Sequence, residues 1–350
     1  MSEALMTSGD GSVSARNVRA RVFKIVGFLV LAVALYELPL QYDRSTVTKF
    51  TTVLCYALAA LGLNLLTGFN GQISVGHGAF FGIGAYSAAL LVSQRGWPAW
   101  ATIVLGAVLA FVVGLIVGLP ALRIRGVYLA LVTLALATLF PAVIVRYSDV
   151  TGGTQGITLE GKQRLNSPQF ARDAGITNSQ WRYYIALVVA VVAFILVRNV
   201  VKSRVGRALI AIRDNETPAE VLGINVGVYK VLTFGISAML AGVGGALFTF
   251  NNDGVAADVV DIQLSIILLV AVVIGGVATF AGPAIGAFLV VFLESFFPEN
   301  LRGKAAPVVF GILLILLMMA APGGILGLVK QQWAKLAQRF SRADQPSHVA

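Results

Sequence analysis

One cysteine and two histidines are all this chain has of the residues that most often form crosslinks or hold transition metals. Cys55 has no second thiol to pair with, so an internal disulfide is excluded, and its place in an apolar run reads as a small core residue. His77 and His348 lie far apart, with no cysteine pair near either, so no metal site is expected. Charge is scarce as well: 12% of the residues are Asp, Glu, Lys or Arg. No GxxxxGK(S/T) run is present, so the chain has no Walker A loop to cradle nucleotide phosphates and is not expected to hydrolyse ATP itself. A nucleophile elbow and paired catalytic carboxylates are also missing, which argues against a membrane-embedded enzyme. No carboxylate stands in the middle of an apolar run, where a proton-coupled carrier usually needs one; Glu37 and Glu294 fall near run ends.

What is present is apolar. Hydrophobic residues make up 57% of the 350 positions, and runs near the length needed to cross about 30 Å of hydrocarbon recur throughout. Ten segments can be drawn, at about 23–40, 47–66, 73–92, 99–119, 126–147, 182–200, 229–250, 264–279, 282–297 and 304–320. The third, eighth and ninth are punctuated by glycine and read as broken or only partly spanning. The expected class is an all-α polytopic membrane protein with about ten transmembrane helices. Its 37 glycines suit helices that pack closely in lipid. Residues 1–22 form a polar N-terminal segment, 23–328 the transmembrane domain with a charged loop at 201–230, and 329–350 a tail. Arg16, Arg19, Arg21 and Lys24 flank the first run, which reads as a retained span, with a cleaved signal peptide as the alternative.

An even number of spans puts both termini on one side. That side then carries 16 of the 26 Lys and Arg but only six of the 16 acids, so the whole net charge of +10 falls there. The positive-inside rule makes it the cytoplasmic side. The basic excess therefore reads as topology and attraction to anionic lipid, not nucleic-acid binding. In the tail, Trp333, Leu336 and Phe340 alternate with Lys335, Arg339 and Arg342 as a short amphipathic anchor would. The longest outer segment, about 148–181, carries Thr151-Gly152-Gly153-Thr154-Gln155-Gly156 and reads either as a connecting loop or as a surface for an external partner.

Two glycine-rich stretches could carry transport chemistry. Gly68 to Tyr86 joins the second and third segments; it reads either as a close helix–helix seam or as a broken helix whose free N–H groups face a solute. Within it, His77 reads as a structural hydrogen-bonding group ahead of a solute contact. Gly275 to Ala287 echoes this stretch weakly, which makes an internal repeat plausible. Asn64, Gln72, Ser74, His77, Tyr86 and Thr133 are the translocation-pathway candidates, as polar groups that should avoid lipid. In the fifth segment, Pro141 should kink the helix, with Thr138 placed to satisfy freed backbone groups.

The most specific stretch is Arg213-Asp214-Asn215-Glu216-Thr217-Pro218-Ala219-Glu220-Val221-Leu222-Gly223. It reads as a short helix with Thr217 as N-cap, Pro218 at the first helical position, Glu220 closing a capping box and Gly223 in the left-handed position past the end. On that reading Thr217→Ala weakens the cap by about 1 kcal/mol. A stiff, capped helix between two spans offers a docking surface, with Arg213, Glu216 and Glu220 as the expected contacts.

Four blocks together resemble the permease subunit of a branched-chain amino acid ABC importer of the high-affinity leucine/isoleucine/valine type. They are Gly62-Leu63-Asn64-Leu65-Leu66-Thr67-Gly68 through His77 to Tyr86; Arg123-Ile124-Arg125-Gly126-Val127-Tyr128-Leu129-Ala130-Leu131-Val132-Thr133; Thr151 through Ile157; and Gly206-Arg207-Ala208 through Arg213-Asp214-Asn215 to Leu222-Gly223-Ile224-Asn225. The likeness covers roughly residues 45–325. It implies a type II importer permease in a bacterial inner membrane, paired with a second homologous permease, two cytoplasmic ATP-binding subunits and an extracytoplasmic solute-binding protein. It implies no cofactor on this chain, with ATP and Mg on the partner ATPase. Arg213, Asp214, Asn215, Glu216, Thr217, Pro218, Glu220 and Gly223 would then couple to that ATPase. Relatives carry branched-chain amino acids or other amino-acid or amide solutes, so the motifs leave the solute open. The rival reading is a secondary transporter driven by an ion gradient, with sodium held by Asn64 and backbone carbonyls.

Overall fold

A computed structural model describes residues 33–122 and 126–295, together with 27, 30, 308, 311, 312, 315 and 324–327. The N-terminal segment 1–22, Arg123 and Arg125, most of the tenth segment and the tail from 329 lie outside the described residues. The chain divides into two compact units, 1–47 and 48–350. In the first, residues 33–41 are helical, and the Asp43 carboxylate accepts hydrogen bonds from the Ser45 and Thr46 hydroxyls, which hold it down to about 2.

The main helices are α1 (Arg44–Leu63), α2 (His77–Arg95), α3 (Ala99–Gly118), α4 (Val127–Arg146), α5 (Asn178–Lys202), α6 (Arg204–Asp214), α7 (Glu216–Val221), α8 (Val226–Asn251), α9 (Ile262–Gly275) and α10 (Gly282–Ser295). Eight of the ten apolar segments drawn from sequence therefore fall on helices. Among the described residues five helices are long and apolar enough to cross a membrane: α1 with its π-helical extension, α3, the Tyr128–Arg146 stretch of α4, α5 and α8. Helix α9, with 14 residues, reaches only about 21 Å and falls short of a full crossing, and α10 is described over 14 residues as well. Among the described residues the one sheet is a two-residue antiparallel ladder, β1 (Ile157–Thr158) on β2 (Gly254–Val255).

Side chains end several of these helices. Thr177 and Gln180 form a capping box at the start of α5, and Asn225 accepts from the Val228 amide to begin α8. Asp261 accepts from the Gln263 and Leu264 amides to begin α9. Pro141 lies inside α4 and frees the Ala137 carbonyl, whereas the Thr138 hydroxyl donates to the Ala135 carbonyl, two residues earlier.

Helix α8 is the axis of the second unit. Of the apolar windows, 78% of that in α1 and 72% of that in α8 is buried, against 33%, 22% and 28% in α3, α4 and α5, so the latter three present broad outer faces. The axis is tightly enclosed because its glycines admit neighbouring backbones. A Cβ on Gly245 would meet the Phe81 carbonyl of α2, and one on Gly84 would meet Gly242. On α3, Thr102, Gly106, Ala110, Gly114 and Gly118 form the buried stripe, one residue in four, and their neighbours include Phe234, Gly235 and Ala238 of α8.

Candidate functional site

Helix α8 runs about 39 Å and separates two differently built ends. At its N-terminal end, α6 buries Gly206, Ala208, Leu209 and Ile212. Ile212, Ala219 and Val226, with Ile224 and Tyr229 against them, make a small local core. The Ile224 amide donates to the Ala219 carbonyl at 3.1 Å and the Gly223 amide to the Glu220 carbonyl at 2.9 Å. That is a Schellman closure, and it needs the positive φ of +81° that Gly223 adopts.

The start of α7 differs from the sequence reading. The cap is Asn215, whose Oδ1 accepts from the Thr217 amide at 3.2 Å, and the helix begins at Glu216. Thr217 is therefore the second helical residue and Pro218 the third, and the Thr217–Glu220 capping box does not form. Asn caps as well as or better than Thr, and proline is tolerated through the first turn because those amides lack helical acceptors. The Thr217→Ala expectation moves to Asn215 accordingly.

The charges singled out from sequence divide by direction. The Arg213 Nη1 donates to the Gly68 carbonyl at 3.1 Å, while Nε and Nη2 grip Asp214. Glu216 pairs at 2.5 Å with Lys230, which is only 5% exposed. Thr217, Pro218, Glu220 and Gly223 face outward. Beside them stand two residues that the sequence reading passed over, Val221 at 83% and Leu222 at 77% exposure. Their signal was an apolar pair at the end of a charged helix, with no place in the local core.

Gly68 belongs to the first of two breaks. Helix α1 widens into a π-helix over Asn64–Phe69, and the backbone is then non-helical to Gly76. The second break, 276–281, joins α9 to α10; Ala278 holds a φ of +58° there without being glycine. The two breaks are clasped by one side chain. Asn64 Nδ2 donates to the Thr279 carbonyl and its Oδ1 accepts from the Ala278 amide, both at 2.8 Å. Phe69 and Phe280 pack beside the clasp with ring centres 5.8 Å apart. The glycine-rich stretches that echo one another in sequence thus meet in space.

Five of the six pathway candidates gather at the first break. Thr133 of α4 accepts from the Val75 amide at 2.9 Å. Ser74 Oγ lies 3.1 Å from His77 Nδ1, and His77 Nε2 lies 2.6 Å from Ser237 Oγ, whose own proton goes to the Gly62 carbonyl. With that proton committed, Nε2 is the donor to Ser237, and both ring nitrogens of His77 are occupied by protein partners. Gln72 donates through Nε2 to the Lys230 carbonyl, while its Oε1 and both amide atoms of Asn70 are buried without a partner among the described residues. Tyr86 lies farther along α2 against Phe140, its hydroxyl also buried and without a partner among the described residues. Among the described residues no group of His, Cys, Asp and Glu has the arrangement of a metal site.

At the other end of α8, Asp253 holds a φ of +55° and pairs at 2.7 Å with Arg182, which is buried. Arg164 approaches the same carboxylate at 3.7 Å, and the Leu159 amide donates to the Asp253 carbonyl. A depression of about 490 Å³ lies over the ladder, lined in part by Gln155, Thr158, Arg164, Asn252 and Asp253. The glycine-rich turn at 151–156 sits here: Thr151 Oγ1 donates to the Ile144 carbonyl, and Gly156 packs on Val255.

The family described as "Branched-chain amino acid transport system / permease component" matches residues 45–321. The chain is 30% identical to the high-affinity branched-chain amino acid transport system permease protein LivM of Escherichia coli, over 96% of this chain and 80% of that protein. Its likeness to LivH of the same organism is 29%, over 78% and 91%. To BraD of Pseudomonas aeruginosa it is 26%, over 82% and 96%. No solved structure matches. A helical fold with long apolar helices, a capped helix pair between two of them and a family match across most of its length identify this chain as a member of the branched-chain amino acid transport permease family, a transport component and not an enzyme.

Proposed function

We propose that this chain is one of two homologous permeases in an ATP-driven importer of branched-chain amino acids or closely related amino-acid and amide solutes. The observation that carries the reading is α7: a helix closed at both ends whose apolar tip, Val221 and Leu222, stands clear of the protein beside the exposed Glu220. Exposed apolar residues on a rigid, polar-rimmed helix are what a partner's groove buries. The partner is a cytoplasmic ATP-binding subunit that supplies ATP and Mg, so the α6–α7 end is cytoplasmic, as are both termini. The protein is then a ten-span inner-membrane permease, with residues 1–22 and the tail 329–350 on the cytoplasmic side.

The ladder end faces outward, and a solute-binding protein docks over the depression between Gln155 and Asp253. The coupling set 213–223 has two jobs: Thr217, Pro218, Glu220 and Gly223 present the docking tip, while Arg213, Asp214, Asn215 and Glu216 hold it to the chain. The pathway runs past the first break. Gln72 and Tyr86 offer it unpaired polar atoms, and Asn64, Ser74, His77 and Thr133 hold its walls.

The test is affinity purification from native membranes in mild detergent. The expected result is recovery of an ATPase carrying a Walker motif together with a second permease. Val221→Asp with Leu222→Asp should lose the ATPase while keeping the second permease. Recovery of the chain free of any ATPase would sink the reading.

A further inference from the structure

We infer that Arg213 and Asn64 are positioning residues that transmit the state of the ATPase-facing helices to the two membrane breaks. This rests on the importer reading above. The α6–α7 element meets the first break through few long-range bonds, and the break touches the second in turn. Arg213 Nη1 holds the Gly68 carbonyl, and Gly71, at a φ of +74°, packs on the Arg213 stem. Glu216 holds Lys230, whose carbonyl takes the Gln72 amide. Gly68 lies against both the Asn64 amide and Ala278, and Asn64 clasps 278–279 across 215 positions of sequence. A shift of α6 that pulls on Gly68 must therefore move or break the Asn64 clasp.

The break is also built to change. Among the described residues the Asn70 amide and Gln72 Oε1 are buried unpaired, a cost that a rearranged backbone or entering water would remove. Ala278 sits in a strained left-handed conformation at the far side of the clasp. These are the marks of a two-state element, and both the ATPase side and the pathway side touch it.

The experiment uses the assembled complex with its ATPases, second permease and binding protein, carrying Val277→Cys. Position 277 is 41% exposed at the second break, and the native Cys55 is fully buried, so label read on this chain after separating the subunits reports position 277. The rate of labelling by a small thiol reagent is compared between nucleotide-free and nucleotide-trapped complexes, and uptake per ATP hydrolysed is measured alongside. In the parent the labelling rate should differ between the two states. In Arg213→Met and in Asn64→Ala that difference should vanish, with uptake per ATP falling about tenfold, the scale of a coupling free energy between sites. Arg213→Lys, which can still reach one carbonyl, should restore part of both. Asn64 lies away from the docking tip, so Asn64→Ala carries the test if Arg213→Met does not assemble. Labelling at 277 that still follows nucleotide in these variants, with uptake per ATP as in the parent, overturns the inference and leaves the importer reading standing. A parent complex with an ATPase but no nucleotide response at 277 overturns the inference alone. A parent without any ATPase overturns both.

Discussion

The two ends of α8 are stabilised by opposite means. The ladder end is locked by contacts between residues distant in sequence: Arg182 on Asp253, and β1 on β2. The α6–α7 end is held mostly by its neighbours in sequence, with Ile212, Ala219 and Val226 as core, Asn215 as cap and Gly223 as closure. Arg213 to Gly68, the Gly71 contact, the residues around Lys230 and Leu209, which enters the main core, tie it further in. A module built locally and tethered by a few bonds can shift as a body without unfolding the bundle, whereas an end pinned by long-range charge pairs keeps its shape. On the proposed importer reading, that contrast gives one end able to take up a mechanical input and another that offers a fixed surface.

Substitutions can break or sharpen the contrast, and they rank by expected size. Arg182→Ala should be the most damaging, at about 3 kcal/mol or more, because it leaves the Asp253 carboxylate largely buried beside a distant Arg164. Reversible unfolding in mixed micelles would show it, and a cost near zero would mean that the ladder end is not locked by this pair. Lys230→Met should cost about 2 kcal/mol, less because Glu216 keeps some access to water, and adding Glu216→Gln should recover part of that loss. Asn215→Ala should cost about 1 kcal/mol through loss of the α7 cap. Equal losses from Asn215→Ala and Thr217→Ala would contradict the assigned helix start. Thr217→Ala and the Val221→Asp, Leu222→Asp pair should each stay within about 0.5 kcal/mol in the isolated chain, since all three side chains face solvent. The apolar pair should still abolish ATPase recovery, which separates docking from folding.

Much of the helical layout was legible because lipid imposes a coarse rule: about twenty apolar residues for each crossing. Segments such as 99–119 and 229–250 obey it, and α3 and α8 follow them closely. The short α9 was legible as irregular, since glycine interrupts its segment. The end of α7 was readable at Gly223 because only a few residue types accept a positive φ. Its start was misread because Asn215 and Thr217 are both competent caps, and the choice between them depends on where α6 stops and Ala219 finds its pocket. The direction of Arg213 and Glu216 was hidden for a related reason. A charge next to a helix end reads as exposed until the fold brings a carbonyl or a lysine within reach.

The sequence by itself determined the environment and the class: a helical chain with long apolar runs and a motif set that marks its family. Composition and short-range periodicity decide those properties, and both act over a few helical turns. Only the tertiary structure decided that the two glycine-rich breaks meet at Asn64, that His77 commits both nitrogens to Ser74 and Ser237, and that Asp253 is held by Arg182. Each is a directional contact between residues far apart in the chain. Its partner is selected by how whole helices pack, which no local pattern encodes.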